Sequence, residues 1–239
     1  MFGRFLEIGV ATSDIAASVQ FYERLGFSQR MTSDSWPYRY GVLSDGRVHL
    51  GLHEHGLASP SVTFVLPDLR DALQPLRDAR IEPEQTSFSD DRLHQALLRD
   101  PSGNAVTLLE ARTYSPSPPG STAQSVCGYF SHLSLPENDF DAARQFWEQA
   151  GFVALAEEDE PFPHMPLTSD HLNLAFHQRR TFDAPLLVFE CAEVQATMLR
   201  LRALDIALSA HLPRGVDRRN GCLIESQSGP ALLLLQAND

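Results

Sequence analysis

The sequence contains 239 residues, of which 43% are hydrophobic and 21% are charged, a balance typical of a globular protein with apolar cores to bury. The formal net charge of -12 repels phosphate backbones and anionic lipid headgroups, so we expect neither nucleic acid nor a membrane as a partner. No apolar run approaches the roughly 18 residues that span a bilayer, and the first residues lack a signal-peptide pattern, so we predict a cytoplasmic protein.

The sequence carries no motif for nucleophilic or nucleotide chemistry. Cys127, Cys191 and Cys222 are an odd number of cysteines without a Cys-x-x-Cys spacing, so neither a disulfide framework nor a zinc cluster is indicated. No Gly-x-Ser-x-Gly or phosphate-loop pattern occurs. We expect the thiols to be buried and structural.

The chain begins with a strand, a helix and further strands. Residues 5–10 are apolar and predict a strand, and residues 14–25 place Ile15, Val19 and Tyr22 on one face of a helix that Gly26 ends. Strands are predicted at 38–43 and 48–53, separated by the turn 44–46. We interpret this order as a strand-helix-strand-strand-strand (βαβββ) unit, of which these patterns locate three of the four strands.

A second unit with the same order follows directly. It comprises a strand at 61–66, a helix at 69–79, and strands at 95–99 and 105–110. The segment Asp100-Pro101-Ser102-Gly103 is a strong turn signal, because proline fixes φ and glycine permits positive φ. Two βαβββ units therefore make up the first half.

The second half of the chain repeats the first. The two halves share short motifs at an offset of about 125 positions, including Phe21-Tyr22 with Phe146-Trp147, Gly26-Phe27 with Gly151-Phe152, and Ser102-Gly103 with Ser228-Gly229. A proline- and serine-rich segment separates them. We predict domains at 1–113 and 126–239, a linker at 114–125, and an α+β fold of four tandem βαβββ units whose curled mixed sheets enclose cavities, with helices outside.

The motifs resemble those of a known superfamily. Arg99-Asp100-Pro101-Ser102-Gly103-Asn104 before an apolar strand, together with residues 14–18 leading into Phe21-Tyr22-Glu23-Arg24-Leu25-Gly26-Phe27, resembles the vicinal oxygen chelate superfamily. This group includes glyoxalase I, bleomycin-resistance proteins and extradiol dioxygenases. The resemblance covers nearly the whole chain, and implies two glyoxalase-like domains, but the scaffold hosts several chemistries. It is weaker in the second half, where Ser226-Gln227-Ser228-Gly229 replaces the turn.

The resemblance also implies where a divalent metal would be held, on the inner faces of the strands. These positions fall on Glu7, His49, Ser61 and Thr107 in the first half, and on His132, Asn173, Leu186 and Leu233 in the second. A catalytic metal typically needs three protein ligands and an open position, and leucine cannot bind a cation. We therefore expect no bound cofactor; a divalent metal at Glu7, His49 and His132 is the alternative.

Polar and aromatic residues mark the predicted cavity. Residues 49, 51, 53 and 55 share one strand face, which directs His49 and His53 towards the cavity as ligand contacts or proton-transfer groups; otherwise His53 and His55 begin a solvated loop. Glu7 on an apolar strand needs a partner, and His49 across the sheet would supply one. The candidate ligand-binding residues are Glu7, Trp36, Tyr38, Tyr40, His49, His53, Thr107, His132 and Asn173.

The preferred interpretation is a glyoxalase- or bleomycin-resistance-like protein that binds a small hydrophobic or aromatic molecule in a sheet-lined cavity, without a complete metal site. The aromatic pattern at Trp36, Tyr38 and Tyr40 suits a planar ligand, although such residues also pack ordinary cores. One alternative is a metal-dependent lyase, isomerase or extradiol-type dioxygenase. Another is a non-catalytic scaffold whose cavities are filled by side chains such as Leu186 and Leu233. Whether a reaction is catalysed stays open, as does the choice between a monomer with two fused domains and a homodimer.

Overall fold

The computed structural model describes residues 2–32, 36–89, 93–112 and 125–237. The first half contains strands β1 to β8 and two helices, in the order β1 (Arg4–Ala11), α1 (Ile15–Arg24), β2 (Ser28–Arg30), β3 (Tyr40–Ser44), β4 (His49–His53), β5 (Ser61–Leu66), α2 (Leu69–Asp78), β6 (Gln85–Ser87), β7 (Gln95–Arg99) and β8 (Ala105–Glu110). The predicted linker, residues 114–125, lies outside the described residues except for Ser125.

The second half repeats this order with one strand fewer. Its elements are β9 (Tyr129–Glu137), α3 (Phe140–Ala150), β10 (Val153–Ala154), β11 (His164–Thr168), β12 (Leu174–Gln178), β13 (Leu186–Cys191), α4 (Val194–Ala203), β14 (Gly221–Ile224) and β15 (Ala231–Gln236). After α4, the described residues form two strands where the first three units form three. The expectation of four complete βαβββ units is therefore corrected for the last unit.

Each half builds its own mixed sheet. The strand orders are β2-β3-β4-β1-β5-β8-β7-β6 in the first half and β10-β11-β12-β9-β13-β15-β14 in the second. In both, the first strand of the half runs parallel to one neighbour and antiparallel to the other. The sheets are open, and the α+β fold predicted from the sequence is confirmed.

Aspartates start three of the four helices. The side chains of Asp14, Asp68 and Asp139 each accept a hydrogen bond from the backbone N–H three residues later, which satisfies a donor that the helix leaves free. The fourth helix begins after Glu193, whose side chain makes no such bond. Within the described residues, no helix has the length and apolar character needed to cross a membrane.

The apolar core joins the two halves. One continuous cluster of buried side chains includes residues of both sheets and of all four helices. Aromatic rings meet across the junction: Phe2 contacts Phe146 with ring centroids 5.5 Å apart, and Phe64 contacts Phe152 at 6.3 Å. Because the helices cover one face of each sheet, the opposite faces are left for a cavity or for a second, smaller core.

Candidate functional site

The inner face of the first sheet borders a cavity of about 870 Å³. Its floor comes from alternate residues of the central strands, which all point to one side of the sheet. These floor residues are Glu7, Gly9, His53, Thr63, Leu97 and Thr107. Trp36 and Tyr38 stand at one side with the loop 55–58, and the edge strand β6 closes the other. A volume of this size suits a small organic molecule.

Glu7 and His53 form a buried pair at the base of the cavity. Glu7 is 1% exposed and His53 is 4% exposed. The distance from His53 Nε2 to Glu7 Oε1 is 2.9 Å, and the Tyr40 hydroxyl donates to the other carboxylate oxygen of Glu7. The carboxylate thus receives two hydrogen bonds, which compensates for its burial.

The structure pairs Glu7 with His53 and not with His49, which corrects the expectation from the sequence. Strand β4 runs parallel to β1, with Gly9 opposite Gly51. Because Gly51 has no side chain, the Glu7 carboxyl group occupies that space; a Cβ placed at Gly51 would lie 2.1–2.2 Å from the carboxyl atoms. Glu7 can therefore reach along β4 to His53.

His49 lies at the other end of β4, opposite Ser44, and is not among the described residues that line the cavity. Burial lowers its pKa, and the nearby Arg30 adds to this effect. The cavity forms at the opposite end of the strand, where Tyr40 pairs with His53. This placement separates the two histidines that the sequence assigned to one site.

Three aromatic side chains surround the His53 ring, with centroids 4.7 Å away for Tyr40, 5.3 Å for Trp36 and 5.8 Å for Tyr38. Trp36 and Tyr38 stack on each other at 5.4 Å, and the Tyr38 hydroxyl lies 3.2 Å from His53 Nδ1. Burial, followed by the charge of Glu7, raises the pKa of Tyr38 to about 12. Tyr38 is therefore a neutral hydrogen-bond donor at physiological pH.

Several residues of the cavity were not predicted from the sequence. Thr63 lies opposite Glu7 and beside Thr107, so the period-two pattern of β5 was a signal that could have found it. Arg99 and Glu84 form an ion pair of 2.6 Å at the rim. The edge strand β6, which contributes Gln85, Thr86 and Ser87 to the cavity, has no apolar alternation that would reveal it.

The same face of the second sheet is filled. A separate apolar cluster of buried side chains occupies it, made of Phe162, Leu186, Val188, Leu223 and Leu233. This arrangement matches the scaffold alternative for this half only.

Three histidines, His132, His164 and His177, share the inner face of the second sheet with this apolar cluster. His177 Nδ1 lies 2.7 Å from Ser134 Oγ, and its Nε2 lies 2.8 Å from the Phe182 carbonyl. His132 and His164 stack with ring centroids 6.3 Å apart. Burial is the main cause that lowers the pKa of His132 to about 3 and that of His177 to about 4, so both are neutral at physiological pH.

The residues at the implied metal positions do not form a ligand set. In the first half, Glu7 is engaged by His53 and Tyr40, and Ser61 Oγ and Thr107 Oγ1 bond each other at 2.6 Å. No group of three or more His, Cys, Asp or Glu in the described part of the chain is arranged to hold a metal ion.

The second half supplies no better set. Leu186 and Leu233 are part of the apolar cluster, and leucine offers no donor. Asn173 is exposed, and its side chain bonds Thr168 at 2.9 Å and the Ser131 carbonyl at 3.4 Å. The donors present do not fit a metal with three protein ligands in either half.

Comparison with known proteins identifies the fold. No protein-family model and no curated protein matches the sequence. Among solved structures, the chain is similar to a catechol 2,3-dioxygenase, with a TM-score of 0.61 and 16% identity, covering 98% of this chain and 88% of that one. It is similar to the 2,3-dioxygenase LapB from Pseudomonas sp. KL28, with a TM-score of 0.63 and 14% identity, covering 99% of this chain and 92% of that one. It is also similar to homoprotocatechuate 2,3-dioxygenase from Arthrobacter globiformis, with a TM-score of 0.62 and 14% identity, covering 98% of this chain and 80% of that one. The chain thus has the fold of extradiol dioxygenases, as its resemblance to the vicinal oxygen chelate superfamily implied.

Proposed function

We propose that the first half binds a small hydrophobic or aromatic molecule in its cavity, in the manner of glyoxalase- or bleomycin-resistance-like binding proteins and without a complete metal site. The observation that carries this proposal is the difference between the two inner faces. The first retains about 870 Å³ of space beside stacked aromatic rings, whereas the second is occupied by apolar side chains. Aromatic walls favour planar ligands, and the buried polar groups at the base would orient them.

The proposal is tested with a neutral aromatic dye, N-phenyl-1-naphthylamine, whose fluorescence rises in apolar surroundings. Leu97 lines the cavity, so Leu97→Trp fills part of it. We expect this variant to bind the dye roughly tenfold more weakly than the parent protein. The matched control is Leu199→Trp on the exposed face of α4, which should bind normally.

The dye should also raise the melting temperature of the parent protein and of the control, because a ligand that binds only the folded state stabilises it. Equal dye affinity in Leu97→Trp and Leu199→Trp would contradict the proposed cavity site.

The second candidate function is an extradiol-type dioxygenase, which is favoured by the likeness to the three solved dioxygenases. It needs a metal ligand set that the inner-face residues described above do not supply. The two candidates differ in the metal content of protein purified without a chelator. A stoichiometric divalent ion together with ring cleavage of catechol would support the dioxygenase and overturn the first proposal.

A further inference from the structure

The pair at the base of the cavity has the arrangement of a base held in place by a carboxylate. As a carboxylate, Glu7 is only an acceptor, so His53 Nε2 must carry the proton of their 2.9 Å hydrogen bond. In the neutral ring, the lone pair is then on His53 Nδ1. The Tyr38 hydroxyl donates to it at 3.2 Å.

We propose that this cavity is a metal-independent acid–base site, in which His53 Nδ1 removes a proton from a bound aromatic molecule and Glu7 acts as the positioning residue. The inference rests on the proposed binding function and names the substrate class, a hydrophobic aromatic compound with an acidic C–H or O–H bond. The substrate first displaces the Tyr38 hydroxyl from His53 Nδ1. The Nδ1 lone pair then forms the new N–H bond while the substrate bond breaks and its electron pair stays on the substrate. The proton later returns to the product or to solvent.

The surroundings of His53 suit the charged ring that this step creates. Glu7 places a negative charge against Nε2, as the acidic member of a catalytic triad does for its histidine. Trp36, Tyr38 and Tyr40 surround the ring, and aromatic faces attract cations. The base is therefore oriented and stabilised before any substrate enters.

Gly51 controls the position of Glu7. A Cβ at Gly51 would overlap the carboxyl group, at 2.1–2.2 Å from its atoms, so Gly51→Ala must displace Glu7 from His53. The equivalent strand pair of the second sheet has Ala175 beside Ser134, where the first sheet has Gly51 beside Gly9. There, His177 binds Ser134 and a backbone carbonyl, and none of the described carboxylates hydrogen-bonds to it.

The tautomer of His53 tests the arrangement without a ligand. A long-range ¹H–¹⁵N spectrum, with His53 assigned by its loss in His53→Gln, should show the proton on Nε2 in the parent protein. Glu7→Gln and Gly51→Ala should each shift this tautomer balance, which a structural role elsewhere would not do. A proton on Nδ1 in the parent protein would overturn the proposal.

Catalysis is tested with 5-nitro-1,2-benzisoxazole, an aromatic probe that opens to a coloured cyanophenolate when a base removes its ring C–H proton. The C–H electron pair forms the nitrile as the N–O bond breaks, so no metal or co-reactant is needed. All proteins are dialysed against EDTA. We expect His53→Gln to lower the rate roughly 100-fold and Gly51→Ala to lower it about 10-fold, while the control His171→Gln in an exposed loop keeps the parental rate.

The outcomes separate this inference from the binding proposal. The role of His53 as a base is overturned if His53→Gln reacts as fast as the parent protein, or if the parent protein shows no turnover. This holds whether or not the dye binds. If N-phenyl-1-naphthylamine binds the parent protein in that case, the binding function stands alone. If the dye does not bind either, the binding function fails as well.

Discussion

The two halves place different side chains on the same positions of the same sheet. The positions of Glu7, His53 and Tyr40 in the first half are those of His132, His177 and His164 in the second. The polar side chains of Thr63 and Thr107 correspond to Val188 and Leu233. One half thus keeps donors and acceptors around an open space, and the other replaces them with apolar bulk and neutral imidazoles.

This comparison indicates how a duplicated fold can divide its tasks. A filled inner face adds apolar burial on both sides of the second sheet, whereas the first sheet leaves buried polar groups beside empty space, which costs stability. We infer that the second half supplies stability and the first half supplies the site. Three predictions test this division, beginning with the largest effect.

Truncating the same position in the two halves should give very different losses of stability. Leu233 is fully buried in the apolar cluster, so Leu233→Ala should lower the free energy of unfolding by roughly 3–5 kcal/mol. Thr107 is half-buried beside the cavity, and Thr107→Ala should cost less than about 1 kcal/mol. Urea unfolding of both variants measures the difference, and equal losses would refute the division.

Acid should weaken the second half. His132 and His177 have pKa values lowered to about 3 and about 4 in the folded protein, against 6.5 in the unfolded chain. As pH falls below 6.5, the unfolded chain takes up protons that the folded protein excludes, so the free energy of unfolding falls by about 1.4 kcal/mol per pH unit for each histidine. Between pH 7 and pH 5.5 the loss should be roughly 2–3 kcal/mol.

Urea unfolding at pH 7 and pH 5.5 measures this loss. The chain has two tryptophans, so Trp36→Phe leaves Trp147 on α3 as the fluorescent reporter of unfolding. In that background, His132→Asn should remove about half of the acid-dependent loss. An unchanged pH dependence in His132→Asn would show that His132 does not take up the proton.

The sequence predicts much of the fold because the repeated motifs and apolar strands are local signals. Strands β7 and β8 have the predicted bounds, and Asp14 begins the first helix as expected. Strands β2 and β6 were not located, since each has three mostly exposed residues at a sheet edge and no apolar alternation. Pairing by neighbouring strands, and not local pattern, creates these short strands.

The site was less predictable because it depends on the space that a glycine, Gly51, leaves open for the Glu7 carboxyl group. The sequence indicates that Glu7 faces inward, but only the register of β1 with β4 and the empty place at Gly51 direct it to His53. Leu186 and Leu233 indicated that apolar side chains fill the inner face of the second sheet. Phe162 also belongs to this cluster, but it lies in a loop whose path the sequence does not predict.

The smallest predicted effect concerns the junction between the halves, which is also asymmetric. On one side Asn104 Nδ2 donates to Asp100 at 2.8 Å and to Glu137 at 2.7 Å, and the Trp147 indole N–H donates to Asp100 at 3.2 Å. Burial, followed by the neighbouring Asp100, raises the pKa of Glu137 to about 9. On the other side, Thr12 takes the place of Glu137 and bonds Ser228 at 3.2 Å.

The folded protein therefore holds a proton on Glu137 that the unfolded chain releases near pH 4.5, so the free energy of unfolding should fall as pH rises from 4.5 towards 9. Glu137→Gln keeps the shape and removes the titration, so it should keep its stability between pH 6 and pH 8, where the parent protein should lose roughly 2 kcal/mol. Thr12→Val at the matching position should leave the pH dependence unchanged. Urea unfolding at pH 6 and pH 8 measures both variants. If Glu137→Gln loses stability with rising pH as steeply as the parent protein, the junction carries no such proton, and the asymmetry of the two halves is confined to their inner faces.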